Sequence, residues 1–209
     1  MRYRLVIFDF DGTLADSFPW VIGMMNDVAD KFAFRRVRDG ELEALRLCDA
    51  REIMRRLGVK RWKLPMIARY VRARMAAEVD QIPLFPGAGQ MLADLAAAGV
   101  KMAVVSANGE DTIRKVLGPD AALIDGFAAG VSLFGKRSKL VKMAKLTGVE
   151  RSQAIVIGDE LRDLDAARAA GMAFGAVSWG ATRASAHAER GADFIFEQMD
   201  QIKDAVLGG

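Results

Sequence analysis

Cysteine and histidine are the scarcest reactive residues in this sequence of 209 residues, which contains one of each, Cys48 and His187. A single cysteine allows no intrachain disulfide bond, which fits a reducing compartment. Cys48 follows an apolar residue, and we expect an ordinary, partly buried thiol. His187 lies in a polar stretch late in the chain, and we expect it at the surface without a catalytic role.

Long apolar runs are also missing, because charged residues interrupt every stretch before it reaches the length of a membrane span. The first residues lead directly into a predicted strand, without the apolar region of a secretory signal. We therefore expect a cytoplasmic protein with no membrane segment.

An excess of charge of one sign is lacking as well, since 30 Lys and Arg residues face 27 Asp and Glu residues. Basic residues cluster at 35–38 and 69–74, but both clusters fall in predicted helices, where a solvent-exposed face explains them. The net charge of +3 therefore does not indicate a nucleic-acid partner.

Short apolar runs alternate with amphipathic helix patterns through most of the chain. This alternation predicts an α/β fold, with a Rossmann-like, doubly wound parallel sheet. The predicted strands cover residues 4–9, 101–106, 154–158, 174–178 and 193–196, with a weaker candidate at 131–134. The predicted helices between and after them cover residues 89–98, 110–117, 138–147, 162–170, 182–190 and 198–206.

The connection between the first two strands is much longer than one crossover helix requires. It contains no convincing strand, and Pro65 fits the first turn of its last helix. We predict an α/β core domain formed by residues 1–15 and 84–209, with an inserted helical cap domain at 16–83. The predicted cap helices cover residues 20–32, 41–45, 51–57 and 64–79.

Two carboxylates stand at the end of the first predicted strand, in the stretch LVIFDFDGTLADS at residues 5–17. Side chains alternate along a strand, so Asp9 and Asp11 project to the same side. Like charges this close repel each other unless a cation or a proton intervenes. Aspartate and glycine also favour ordinary turns, so this pair alone does not decide between a turn and a site.

Polar residues follow the other predicted strands too. Ligands of open parallel sheets bind at the carboxyl ends of the strands, so we expect these residues to converge. With the first pair, the candidate site residues are Thr13 in the first loop, Ser106 with the neighbouring Ala107 and Asn108, Lys136 at a predicted helix start, and Asp159 and Asp163.

This set of side chains suits phosphoryl transfer. Several carboxylates around one point need a hard cation, and Mg²⁺ prefers oxygen ligands. Ser106, Lys136 and the amides of Ala107 and Asn108 before a predicted helix can bind phosphate oxygens. One aspartate can attack phosphorus to form an aspartyl-phosphate, while a second carboxylate transfers protons.

Four motifs in this order, DFDGTLADS, VVSAN, FGKRSK and IGDELRD, resemble the haloacid dehalogenase (HAD) superfamily of phosphotransferases. The chain is most similar to the phosphoglycolate-phosphatase-like branch, which carries a helical cap after the first motif. The resemblance covers essentially the whole chain. Each motif follows its expected strand or begins a helix, which makes the combination specific.

The resemblance implies roles for the four aspartates. Asp9 would be the nucleophile and a Mg²⁺ ligand. Asp11 would be the general acid and base, with its backbone carbonyl also on the metal. Asp159 would ligate the metal, and Asp163 would either be a further ligand or contact the ligands and hold them in place.

The resemblance also implies that Thr13 fixes the first loop and that Ser106 binds phosphoryl oxygens, with Ala107 and Asn108 beside it. We group these four residues as substrate-binding. The motif leaves two candidates for the catalytic lysine, because relatives often have proline after it and Arg137 stands here. Lys139 is therefore a rival to Lys136, which we prefer because a residue at the helix start can point into the site.

These residues predict a Mg²⁺-dependent phosphomonoester hydrolase that acts through an aspartyl-phosphate on a small phosphorylated metabolite. The resemblance makes 2-phosphoglycolate the leading substrate. Asp11 is absent from dehalogenating relatives, so its presence favours phosphate chemistry. A sugar-phosphate mutase and a catalytically silent binding protein on the same fold remain as alternatives. We expect no nucleic-acid or membrane partner, and a monomer or a homodimer.

Overall fold

A sheet of six parallel strands forms the centre of the computed structural model, which describes residues 1–45, 50–130 and 135–208. The strands lie in the order β3-β2-β1-β4-β5-β6, so the first strand is central and the chain order reverses beside it. This confirms the predicted doubly wound α/β fold. The strands are β1 (Leu5–Phe8), β2 (Lys101–Val105), β3 (Gly126–Ala128), β4 (Ala154–Gly158), β5 (Ala173–Val177) and β6 (Phe194–Phe196).

Helices cover both faces of the sheet, and the alternation of side chains along β1 explains why. Val6 and Phe8 belong to one apolar cluster, whereas Leu5 and Ile7 belong to the other. All four are fully buried, as expected for a strand between two helical layers. The helices of this domain are α5 (Ala88–Ala97), α6 (Glu110–Leu117), α7 (Lys136–Thr147), α8 (Leu161–Ala170), α9 (Ala184–Glu189) and α10 (Asp200–Leu207).

The third strand is the one that the sequence pattern missed. The weak candidate at 131–134 lies outside the described residues, and β3 precedes it, paired with β2. The strand has only three residues, of which Phe127 is the only large one. Such a segment is too short to show strand periodicity.

The helical insertion between β1 and β2 has the predicted helical character. Its helices are α1 (Phe18–Phe32), α2 (Leu42–Leu45), α3 (Ala50–Arg56) and α4 (Leu64–Ala77), with Pro65 in the first turn of α4. Cys48 lies outside the described residues, so the expectation for its thiol stays untested. No helix in the described ranges combines the length and the apolar character that crossing a bilayer requires.

The two segments that connect the insertion to the rest of the chain, at residues 14–16 and 83–85, are hydrogen-bonded to each other. The amide of Asp16 donates to the carbonyl of Pro83 at 2.9 Å, and the amide of Phe85 donates to the carbonyl of Leu14 at 2.8 Å. These two bonds lie at the predicted boundaries, after residue 15 and before residue 84. The division into two domains itself stays a prediction.

Candidate active site

The predicted site residues meet at the carboxyl edge of the sheet, beside the central strand. Asp9 follows the end of β1, Ser106 follows β2 and Asp159 follows β4, and these three strands are neighbours. The side chains of all three residues are buried. The structure therefore brings together residues that are distant in sequence, as expected at the carboxyl ends of parallel strands.

Three of these carboxylates form a compact acidic group. Oxygen atoms of Asp9, Asp159 and Asp163 all lie within 4.8 Å of one another, and each residue is buried. Buried carboxylates at this spacing repel each other unless a cation is present, and oxygen ligands suit a hard divalent ion such as Mg²⁺. The carboxylate of Asp11 lies outside this group, so Asp11 could contribute only through its backbone, as the resemblance implies.

Lys136 provides the positive charge next to this acidic group. Its Nζ lies 2.7 Å from Asp9 Oδ2 and 2.7 Å from Asp163 Oδ1. Burial disfavours the charged ammonium, but the carboxylates of Asp163 and Asp9 outweigh this effect and raise the pKa of Lys136. Lys139 lies one turn further along α7, and the described residues give it no ion pair with these carboxylates.

Burial changes the proton affinity of the acidic group. It raises the pKa of Asp9 to about 7, against the opposing effect of Lys136. Burial, together with the negative charges of Asp163 and Asp9, also raises the pKa of Asp159 well above its usual range. Burial acts in the same direction on Asp163, but the charge and hydrogen bond of Lys136, together with the charge of Arg162, outweigh it, and the pKa of Asp163 is lowered. A divalent cation bound here would therefore compete with protons for Asp9 and Asp159.

The two carboxylate oxygens of Asp11 have different surroundings. Asn108 Nδ2 donates to Asp11 Oδ2 at 2.7 Å, whereas Oδ1 is buried without a hydrogen bond of good geometry, and the hydroxyl of Ser17 lies beside the carboxylate. Burial raises the pKa of this carboxyl, which favours its protonated form. A protonated carboxyl at this position is suited to donate its proton to a bound substrate.

The loop after β2 is held by hydrogen bonds of its own. The amide of Asn108 donates to Ser106 Oγ at 3.1 Å. This amide is one of those predicted to bind phosphate oxygens, and the side chain of the same residue contacts Asp11. Ala107 is exposed between these two buried residues, and α6 begins at Glu110.

Thr13 is turned toward the acidic group. Its hydroxyl is buried and donates to Asp159 Oδ1 at 3.3 Å, an arrangement that fixes the first loop against the loop after β4. Gly12 makes this approach possible, because a Cβ atom there would lie 2.4 Å from Asp159 Oδ2. Its φ of +71° is also in the left-handed region that favours glycine.

Further contacts to Asp159 come from a part of the chain in which the sequence indicated no site. The amide of Ala181 donates to Asp159 Oδ2 at 2.9 Å, and His187 Nε2 lies 3.1 Å from the Asp159 carbonyl. The expectation that His187 lies at the surface is wrong, since it is fully buried. Position in the sheet is the signal that could have indicated this region, because Trp179 and Gly180 come soon after β5 ends at Val177.

Comparison with known proteins agrees with this geometry. Residues 6–177 match the model of the haloacid dehalogenase-like hydrolase family. The chain is 29% identical over 205 residues to phosphoglycolate phosphatase of Synechococcus elongatus, with 97% of each chain covered. It is also 31% identical over 188 residues to tyrosine-protein kinase PtkA of Mycobacterium tuberculosis, which covers 87% of this chain and 64% of PtkA.

The fold is shared with solved structures at lower sequence identity. One is the haloacid dehalogenase-like family protein SP0104 from Streptococcus pneumoniae, with a TM-score of 0.79, 16% identity, and 96% of this chain and 97% of that chain covered. Another is CbbY from Rhodobacter sphaeroides in complex with phosphate, with a TM-score of 0.74, 22% identity, and 96% of both chains covered.

Proposed function

The chain belongs to the haloacid dehalogenase-like hydrolase family and is a phosphatase; on this premise we propose that it hydrolyses phosphate monoesters of small metabolites with Mg²⁺ and an aspartyl-phosphate on Asp9. The observation that carries the proposal is the ion pair of Asp9 with Lys136 at 2.7 Å, inside a buried group of three carboxylates. This places the proposed nucleophile next to a positive charge for the phosphoryl group and next to the proposed metal ligands.

The metal site would consist of Asp9, Asp159 and Asp163, with the backbone carbonyl of Asp11. A bound Mg²⁺ supplies positive charge, which reduces the repulsion between a carboxylate nucleophile and a phosphate dianion. The raised pKa values of Asp9 and Asp159 support this assignment, because these carboxylates are suited to exchange a proton for a cation.

In the first step, a carboxylate oxygen of Asp9 attacks phosphorus, and the bond from phosphorus to the ester oxygen breaks. Asp11 gives its proton to the departing oxygen, so an alcohol leaves and Asp11 becomes a carboxylate. Lys136 and the hydroxyl of Ser106 stabilise the negative charge on the phosphoryl oxygens.

In the second step, Asp11 takes a proton from water as the water oxygen attacks phosphorus. The bond between phosphorus and Asp9 breaks, inorganic phosphate leaves and the Asp9 carboxylate is restored. Asp11 is again protonated, so one cycle consumes one ester and one water molecule.

The helical insertion, residues 16–83, would act as a cap over this site. The paired segments at Asp16 and Pro83 provide a short, two-stranded connection about which such a domain can close. Closure would exclude bulk water and bring cap residues to the part of the substrate beyond the phosphate. We therefore assign substrate choice to the cap and the reaction to the core.

The leading substrate is 2-phosphoglycolate, supported by the phosphatase of Synechococcus elongatus that matches this chain over 97% of both lengths. The test is phosphate release from a panel of phosphorylated metabolites, with Mg²⁺ and then with EDTA. We expect metal-dependent release, with the highest kcat/KM for 2-phosphoglycolate.

The other outcomes of the panel separate the alternatives. Preference for another ester would overturn the substrate and leave the reaction class intact. Isomerisation of a sugar phosphate that depends on a sugar bisphosphate would identify a mutase. Transfer of phosphate to protein tyrosine from a nucleotide would indicate a kinase. No turnover of any ester would favour a silent binding protein.

The two candidate lysines give a matched pair of variants. We expect Lys136→Met to lower kcat/KM by at least about 100-fold, as for the loss of a charge-stabilising donor from an active site. Lys139→Met removes the same charge from the same helix and should keep wild-type activity. Steady-state phosphate release measures both, and thermal unfolding checks that each variant is folded. A loss of activity in Lys139→Met alone would reverse the assignment.

A further inference from the structure

The segment after β5, residues 178–187, makes several hydrogen bonds to Asp159. The match to the family model ends at residue 177, directly before this segment. The segment contains the loop that follows β5 and the first part of α9. We call it the post-β5 segment.

The backbone of the post-β5 segment lies directly against Asp159. The amide of Ala181 donates to Asp159 Oδ2 at 2.9 Å, and the amide of Thr182 donates to the Asp159 carbonyl at 3.2 Å. A Cβ atom at Gly180 would lie 2.1 Å from Asp159 Cβ, so this approach requires a glycine. Together with the hydroxyl of Thr13 on Oδ1, both carboxylate oxygens of Asp159 have a donor.

Trp179 connects the same segment to the first loop. Its indole Nε1–H donates to the carbonyl of Thr13 at 3.2 Å, and its ring packs against Phe85 at a centroid distance of 6.0 Å. Because Thr13 in turn donates to Asp159, Trp179 holds the donor of the Asp159 carboxylate in place.

His187 contacts the backbone of Asp159. The ring is fully buried, and Nε2 lies 3.1 Å from the Asp159 carbonyl oxygen. Since a carbonyl only accepts, Nε2 must carry the hydrogen, which fixes the tautomer. The ring also packs against Phe174 at a centroid distance of 5.8 Å.

We propose that Trp179 and His187 are positioning residues, which hold Asp159 in the geometry for binding a divalent cation. The inference rests on the proposed function, because it takes Asp159 to be a metal ligand. Asp159 faces two other buried carboxylates, and their repulsion would turn it away before a cation arrives. Fixed donors from outside the metal site remove that freedom, as outer partners of metal ligands commonly do.

The test is Mg²⁺ binding to the purified protein, measured by isothermal titration calorimetry without substrate. Trp179→Phe keeps an aromatic ring but loses the bond to Thr13, and we expect the Kd for Mg²⁺ to rise about 3- to 10-fold. His187→Leu loses the bond to the Asp159 carbonyl, and we expect an increase of about 10- to 100-fold. His187→Gln keeps an N–H donor and should recover part of the loss.

A matched control separates positioning from general stability. Trp20 is buried where Trp179 is half-buried, and it donates its indole N–H to Glu78 Oε2 at 2.8 Å, outside the acidic group. Trp20→Phe should lower the thermal midpoint to a similar extent as Trp179→Phe and leave the Kd for Mg²⁺ unchanged. If His187→Leu does not fold, Trp179→Phe decides the question alone.

The results distinguish this inference from the proposed function. If the wild type binds Mg²⁺, Asp159→Asn does not, and both Trp179→Phe and His187→Leu bind as the wild type does, the positioning role is wrong and the metal site stands. If the wild type binds no Mg²⁺, or Asp159→Asn binds equally well, the proposed metal site is wrong, and the positioning role with it.

Discussion

Asp9→Asn is expected to reduce phosphate release by at least about 1000-fold, the largest effect of any single substitution in this chain. The amide has nearly the same shape as the carboxylate but cannot attack phosphorus, so no covalent intermediate forms. Losses of this size are typical when the nucleophile of a covalent mechanism is removed. The measurement is steady-state phosphate release from an aryl phosphate with Mg²⁺.

The covalent intermediate gives a second readout of the same substitution. Wild-type protein quenched in acid during turnover should carry a phosphoryl group on the peptide that contains Asp9, detectable by mass spectrometry, and Asp9→Asn should carry none. Asp165→Asn is the matched control, because Asp165 is an exposed carboxylate on α8 that pairs with Arg190 at 3.1 Å. Equal, non-zero rates in Asp9→Asn and the wild type would remove Asp9 as the nucleophile.

Asp11→Asn is expected to separate the two chemical steps. With an alkyl phosphate, whose leaving oxygen needs a proton, kcat should fall by about 100- to 10,000-fold, the usual contribution of a general acid or base. With an aryl phosphate the leaving group departs without a proton, so Asp9 should still be phosphorylated. Hydrolysis then lacks its base, and we expect a burst of phenol followed by slow turnover.

Rapid-quench kinetics with the two classes of ester measure this difference. The Asn side chain can still accept from Asn108 Nδ2, which donates to Asp11 Oδ2 at 2.7 Å in the wild type, so the local fold should persist. Wild-type turnover of the alkyl ester would exclude Asp11 from proton transfer. Slow turnover of the aryl ester without any burst would show that the substitution slows the first step even when the leaving group needs no proton.

The pattern of the sequence was sufficient for most of the fold. Apolar strands alternating with helices predicted the parallel sheet, and five of the six strands lie within one residue of their predicted ends. The exception is β3, at Gly126–Ala128, where three residues with one large side chain carry no periodicity. The pairing of β3 with β2 determines where this strand lies, and local sequence does not.

The sequence could also name the acidic residues, but it favoured Lys136 over Lys139 only through its position at the start of a predicted helix. Both have the right charge, and they stand three positions apart at the start of one helix. In the structure, Lys136 forms ion pairs with Asp9 and Asp163. That choice depends on where α7 begins relative to the carboxyl edge of the sheet, and local sequence does not determine this relation.

The order of the four motifs and the alternation of strands and helices belong to the sequence itself, because each rests on residues that are close together in the chain. The enclosure of Asp159 was decided only by the tertiary structure. Trp179 reaches Thr13 across 166 positions, and His187 reaches Asp159 across 28. Such bonds form only when the sheet brings its strand ends together, because the partners are distant in sequence. No residue near Trp179 or His187 in the sequence indicates which partner it contacts.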